Sequence, residues 1–166
     1  MLVGMKALLA LLALPFSALA HTGPNPLINY SFQKQFLKEG TLTAQKGPDI
    51  PFAPTQLIAT GNGLAFNGSG ETPYVPAAEL PTDSFTVAVW CSIHEGTRYG
   101  GLIGSLEDNG DYEKGWSLGY DQTHFMVTLS TAKTDDGDGR AVVLRSSQPF
   151  QPDTFTHLAA SYDGKV

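Results

Sequence analysis

Phe85-Thr-Val-Ala-Val-Trp-Cys-Ser-Ile93 carries an apolar residue at every second position: Phe85, Val87, Val89, Cys91 and Ile93. Period two is the pattern of a strand with one face buried. Similar short runs follow at Gly101 to Leu106, Gly115 to Tyr120, His124 to Ser130, Ala141 to Arg145 and Phe155 to Tyr162. Upstream, Leu27 to Phe32 and Gly63 to Phe66 read the same way. Turn residues separate them, among them Asn67-Gly68, Asn109-Gly110, Asp121-Gln122, Asp136-Gly137-Asp138-Gly139, Gln148-Pro149 and Asp163-Gly164. Only Gln33 to Glu39 has room for a helical turn, with Gly40 to end it. Many short strands with regular turns predict an all-β protein, an antiparallel two-sheet sandwich in which each strand hides one face.

The N-terminus reads as an export signal. Lys6 is a thin positive region, Ala7 to Leu14 is unbroken apolar sequence, and Pro15 breaks it. Ala18-Leu19-Ala20 then supplies the small-x-small pattern, so cleavage is expected between Ala20 and His21. Met5-Lys6 serves equally well as a start. The run is too short for a transmembrane helix, which needs about 20 apolar residues. The expected organisation is a signal peptide over 1–20 and one domain over 21–166, secreted to the periplasm or the extracellular space, without membrane insertion of the mature chain.

The 166 residues hold 10 Lys+Arg against 16 Asp+Glu, a net charge of −6. Loss of residues 1–20 removes Lys6 and makes the remainder more acidic by one charge. An acidic chain without a basic run is a poor binder of polyanions, which argues against nucleic acid and anionic lipid as partners. The chain has one cysteine, so no internal disulfide forms. Cys91 shares the apolar face of its strand with no activating cation nearby, and is expected to be an inert buried thiol.

The ordered set Phe85-Thr-Val-Ala-Val-Trp-Cys91, Gly101-Leu-Ile-Gly104, Gly115-Trp-Ser-Leu-Gly-Tyr120 and Phe155-Thr-His-Leu-Ala-Ala-Ser-Tyr-Asp-Gly164 resembles the laminin-G-like, concanavalin A-like jelly roll. Gly63-Leu-Ala-Phe-Asn-Gly68 is similar to that family's early strand and turn. Phe155 stands where the family usually has Trp, which keeps an aromatic there. The resemblance covers roughly residues 60 to 166. It implies a module that binds glycan or extracellular protein, and a hairpin opened by Tyr162-Asp-Gly164. Only Lys165 and Val166 follow that turn. The expectation is therefore a fold incomplete at its C-terminus, with its final strands encoded beyond Val166.

The candidates for chemistry are few. Glycosidases of related folds alternate carboxylates as E-x-D-x-E, and the nearest match is Asn109-Gly-Asp111-Tyr-Glu113. Asn109 replaces the would-be nucleophile and Asn109-Gly110 is a turn signal, so an acidic loop is expected there and not a catalytic strand. Asp135, Asp136 and Asp138 form a second acidic cluster, with Thr134 and Arg145 breaking the EF-hand spacing. Calcium accepts oxygens from separate loops, and related jelly rolls bind it. Asp136 and Asp138 are the candidate calcium ligands, against a solvated hairpin tip. The histidines at 21, 94, 124 and 157 lack zinc spacing, and His157 is expected to be a hydrogen-bonded structural residue. No G-x-S-x-G elbow occurs. Trp90 and Trp116 are expected in the core. Asn67-Gly68-Ser69 is a formal glycosylation sequon.

Two readings remain. One is a secreted, non-catalytic recognition module for carbohydrate or protein, binding through loops at one rim of the sandwich. The other is an N-terminal accessory module of a larger secreted hydrolase, for example a metallophosphoesterase.

Overall fold

A computed structural model describes residues 9–10, 25–51, 57–60, 63–66, 74–75, 83–108, 113–130 and 141–165. Apart from one 3-10 turn at Lys34–Phe36, its regular structure is β throughout, and every described ladder is antiparallel. The chain divides into two compact units, Met1–Glu79 and Leu80–Val166.

The first unit holds eight described strands, each two to four residues long. They are β1 (Leu9–Ala10), β2 (Asn29–Tyr30), β3 (Leu37–Lys38), β4 (Thr41–Leu42), β5 (Ala44–Lys46), β6 (Ile50–Pro51), β7 (Leu57–Thr60) and β8 (Gly63–Phe66). β8 lies between β7 and β1, β4 between β3 and β6, and β2 pairs with β5. Among the described residues, Leu42, Ile50, Leu64 and Ala65 are its buried apolar side chains. Of the strand expected over Leu27 to Phe32, Asn29–Tyr30 forms a ladder, with an irregular register to β5 between those two residues. The expected helical turn is the 3-10 turn, and Glu39 (φ 43°) and Gly40 (φ 80°) then reverse the chain. Two successive positive φ angles in a two-residue loop match the right-handed twist of a hairpin, here β3 to β4. β1 falls inside the apolar run read as an export signal, so cleavage before His21 would free that edge of β8.

The second unit is built from β9 (Phe85–Ile93), β10 (Gly100–Asp108), β11 (Glu113–Tyr120), β12 (Phe125–Ser130), β13 (Val142–Arg145) and β14 (Thr156–Tyr162). β10 to β13 form a meander in chain order, and β14 pairs with β9 along seven residues, from Thr156 opposite Cys91 to Tyr162 opposite Phe85. Side chains of the two ladders meet between them. The Phe85 ring on β9 lies 4.7 Å from Trp116 on β11, and 5.8 Å from Tyr162 on β14. Cys91, Ile93, Leu118, Tyr120 and Phe125 are buried in the same unit. This is an antiparallel β-sandwich, and each such large apolar side chain contributes roughly 1.5–3 kcal/mol when fully buried. β13 closes the meander as an exposed edge, with Val142, Val143 and Leu144 all in water.

Gly115 is demanded by the β10–β11 pairing. Its φ of 111° lies where side chains are disfavoured, and a Cβ would land on the Ser105 carbonyl oxygen across the ladder. Gly115→Ala is expected to cost about 2 kcal/mol or more, read as a lower urea midpoint. Trp116→Ala, which empties the inter-sheet contact, is expected to cost about 3–5 kcal/mol. Midpoints within error of the parent chain would contradict this packing.

Candidate functional site

Three loops of the second unit meet at one end of its sandwich: 94–99 after β9, 121–124 between β11 and β12, and 146–155 between β13 and β14. Backbone bonds join them. The Asp153 amide donates to the Ile93 carbonyl at 2.8 Å, Phe150 to Thr123 at 2.9 Å, and Ser146 to Phe125 at 2.8 Å. Gly96 lies so close to the Gln122 carbonyl that a Cβ would overlap it. Phe150 anchors the third loop from below, its ring 5.4 Å from Phe125 and edge-on to Tyr120 at 6.1 Å.

Asp121 organises the middle loop. Its Oδ1 accepts the amides of Thr123 (2.9 Å) and His124 (2.8 Å), an Asx turn, while Oδ2 accepts from Arg145 Nε at 2.7 Å. Those amide donors, with the Arg145 guanidinium, hold the carboxyl well below the usual range. At the neighbouring loop the His94 imidazole meets Asp153 Oδ1 at 2.8 Å. This hydrogen bond and the carboxylate charge raise the histidine above its ordinary value. Asp153 adopts φ 57°, a left-handed conformation that Asp tolerates better than most residues. Arg98 lies over the Tyr99 ring at 5.3 Å, and that ring is largely exposed. His124 Nδ1 is 2.7 Å from the Thr123 hydroxyl. The rim thus offers an aromatic face, a guanidinium and several paired polar groups on loops tied together through their backbones. That is a surface suited to recognition.

The expected residues fall in different places. Cys91 is fully buried, and burial pushes its thiol up to about 12, which fits an inert side chain. β10 stops at Asp108 and its partner strand begins at Glu113 directly opposite. Of the Asn109-to-Glu113 stretch, Glu113 is described, as the first residue of β11. Asn109, Gly110 and Asp111 themselves lie outside the described residues, as do Ala20, His21, the 67–69 sequon, Asp135, Asp136 and Asp138. Among the described residues no three His, Cys, Asp or Glu side chains gather to hold a metal. No described helix is long and apolar enough to cross a membrane.

Trp116 is in the core as expected, but Trp90 is not. It keeps 36% of its surface in water, on the outward face of β9. The reason is parity: the alternation that buries Cys91 turns its neighbour outward. His157 also faces out, and packs its ring 5.0 Å from Trp90. Counting alternate positions finds both residues from sequence, whereas hydrophobicity alone sends Trp90 inward. Asp121 and Arg145 gave no such signal, since the pair is 24 residues apart and is assembled by the β12–β13 ladder.

The sandwich and its loops define the class: the chain belongs to the concanavalin A-like lectin/glucanases superfamily, whose laminin G 3 profile matches residues 67–166. Among curated proteins it is similar to mouse pappalysin-1, 28% identical over 135 residues, 74% of this chain and 8% of that protein. Human pappalysin-1 is 30% identical over 110 residues, 61% of this chain and 7% of that protein. The chain therefore spans less than a tenth of the length of these relatives. No solved structure matches it significantly.

Asp121→Asn keeps an acceptor for the two amides and removes the charge facing Arg145. Arg145 is more than half exposed, so solvent screens the pair and the expected loss at pH 7 is about 1 kcal/mol. The folded carboxyl titrates below its ordinary value of 3.8. The difference between parent and variant should hold above that pH and shrink below it, as the unfolded chain takes up its proton first. It disappears once the folded carboxyl is protonated too. Urea melts of both chains across this range check it; a gap that widens on acidification would contradict the assignment.

Proposed function

We propose that this chain is a secreted, non-catalytic recognition module that binds carbohydrate or protein through the loop rim of its second unit. The observation that carries the reading is the backbone-tied rim of loops 94–99, 121–124 and 146–155, with Tyr99 and Arg98 presented to solvent. Loops positioned by a rigid sandwich are a common seat of binding function. Membership of the superfamily supports the same class, although a fold alone does not carry a function. Export follows from the Lys6 to Ala20 pattern, and the mature N-terminus is His21. Retention of Lys6 in exported protein, seen by N-terminal sequencing, would refute that cleavage.

The second reading, an accessory module of a larger secreted hydrolase, draws on one observation. The similar stretch makes up only 8% of mouse pappalysin-1, so there the module serves a far longer chain. Both readings assign this chain binding and not chemistry.

Calcium, if bound, is held by Asp136 and Asp138. A melting temperature that rises with calcium after EDTA treatment, and no longer does so in Asp136→Asn/Asp138→Asn, would assign them as ligands. Unchanged melting would make them a solvated tip.

The binding reading is tested by screening the secreted chain against arrayed glycans and extracellular proteins. Saturable binding that weakens about tenfold in Tyr99→Ala or Arg98→Ala, both exposed and safe for folding, is the expected result. Binding indifferent to both substitutions would refute the rim. Turnover of laminarin or xylan that is lost in Asp111→Ala or Glu113→Ala would refute the non-catalytic assignment.

A further inference from the structure

Two of the rim loops are tied at one point through both backbone and side chain. The Asp153 amide donates to the Ile93 carbonyl at 2.8 Å. One residue along, the His94 Nδ1–H donates to the Asp153 Oδ1, also at 2.8 Å. Asp153 is the third residue of the turn Gln151-Pro-Asp-Thr154, which the Thr154 amide closes on the Gln151 carbonyl at 3.3 Å. Proline in second place and a positive φ (57°) in third mark a type II turn, whose third position suits Gly or Asn. An aspartate there costs some backbone freedom and supplies a charge that Gly and Asn lack. That charge faces His94. From His94 the loop runs through Gly96, packed on the Gln122 carbonyl, to the exposed Arg98 and Tyr99. The tie therefore stands at the root of the segment that carries the rim's solvent-facing groups.

We infer that the His94–Asp153 contact is a pH-sensitive latch on the rim: protonation of His94 holds loops 94–99 and 146–155 together, and deprotonation loosens them. The latch rests on the reading of the rim as the binding surface, and adds to it a means of regulation. Histidine is the side chain whose ordinary titration lies near neutrality. The Asp153 hydrogen bond, and then its charge, raise His94 above that value, and Glu95 pushes more weakly the same way. A folded value above the unfolded one fixes the sign. The latch is at full strength below the ordinary histidine value of 6.5 and is lost as pH rises through the folded value. Above it the neutral ring still donates a hydrogen bond, without the assistance of charge. The other charged groups of the three loops are engaged elsewhere. Asp121 and Arg145 pair with each other at 2.7 Å, and Arg98 lies over Tyr99. His124, the second imidazole, bonds the Thr123 hydroxyl. His94 and Asp153 are both well exposed, so water screens the pair and the latch acts as a small factor and not an all-or-none gate. A ligand that needs Arg98 and Tyr99 in place binds the latched rim more tightly, because less ordering remains to be done.

The experiment needs no ligand, so failure of the latch and failure of the binding reading stay separate. Hydrogen exchange of the Asp153 amide, corrected for its intrinsic rate, and NMR titration of the imidazoles are followed on the full chain across the neutral range. Protection of the Asp153 amide is expected to fall about two- to fivefold as pH rises through the His94 titration. The Phe150 amide, bonded to Thr123 on the same loop, should keep its protection. His94→Gln and Asp153→Asn should each abolish the fall. Asn is at home in the left-handed conformation and still accepts from the ring, so Asp153→Asn removes the charge and keeps the turn. His94 should titrate higher in the parent than in Asp153→Asn, and His124→Gln should leave the fall intact. Protection indifferent to pH, a fall that survives His94→Gln or Asp153→Asn, a fall lost in His124→Gln, or equal His94 titration in parent and Asp153→Asn would each overturn the latch. Ligand binding indifferent to Tyr99→Ala and Arg98→Ala, with the fall in protection intact, would refute the rim as a binding surface and leave the latch standing.

Discussion

The contact of Phe85 with Trp116, 4.7 Å between ring centres, is what the second unit depends on. It brings β9 against β11 and thereby sets which face of each ladder is buried. Once Phe85 points inward, alternation carries Val87, Val89, Cys91 and Ile93 the same way and turns Thr86, Ala88 and Trp90 outward. Tyr162 reaches the same cluster from the end of β14 at 5.8 Å, which fixes the β14 register and leaves His157 beside Trp90. A one-residue slip of either strand would exchange the two sets entirely. One aromatic contact therefore decides both the core and the composition of the exposed face.

The loop rim is a consequence of where those strands stop. β9 ends at Ile93, whose carbonyl receives the Asp153 amide, and β12 starts at Phe125, whose carbonyl receives the Ser146 amide. The charged groups of the rim are largely satisfied by one another. Asp121 is tied to Arg145, and Asp153 to His94. The Arg98 and Tyr99 side chains face solvent. A surface held in place by backbone bonds loses little conformational freedom when it binds, and that preorganisation favours recognition.

Legibility in the sequence followed strand length. The bounds of Phe85–Ile93 were readable to the residue, because nine positions of alternation leave little room for another period. The β10, β11, β12, β13 and β14 strands were readable to within one or two positions. Leu57–Thr60 was not, since Leu57-Ile-Ala-Thr60 does not alternate. Strands of two or three residues such as Thr41–Leu42 and Ile50–Pro51 contain too few positions to show any period, and exist because partners pair with them. The site was less legible than the fold. His94 with Asp153 and Asp121 with Arg145 are long-range pairs, and loops carry no periodicity from which to read them.

The chain holds two tryptophans, Trp116 on β11 in the core and Trp90 on the outward face of β9. Acrylamide quenching of the single-tryptophan variants measures that directly. Trp90→Phe, which leaves Trp116, should give blue-shifted emission that acrylamide barely quenches. Trp116→Phe, which leaves Trp90, should give red-shifted emission quenched several times more strongly. Equal quenching of the two native variants, or stronger protection of Trp90, would contradict the Phe85–Trp116 core and the exposed face that follows from it.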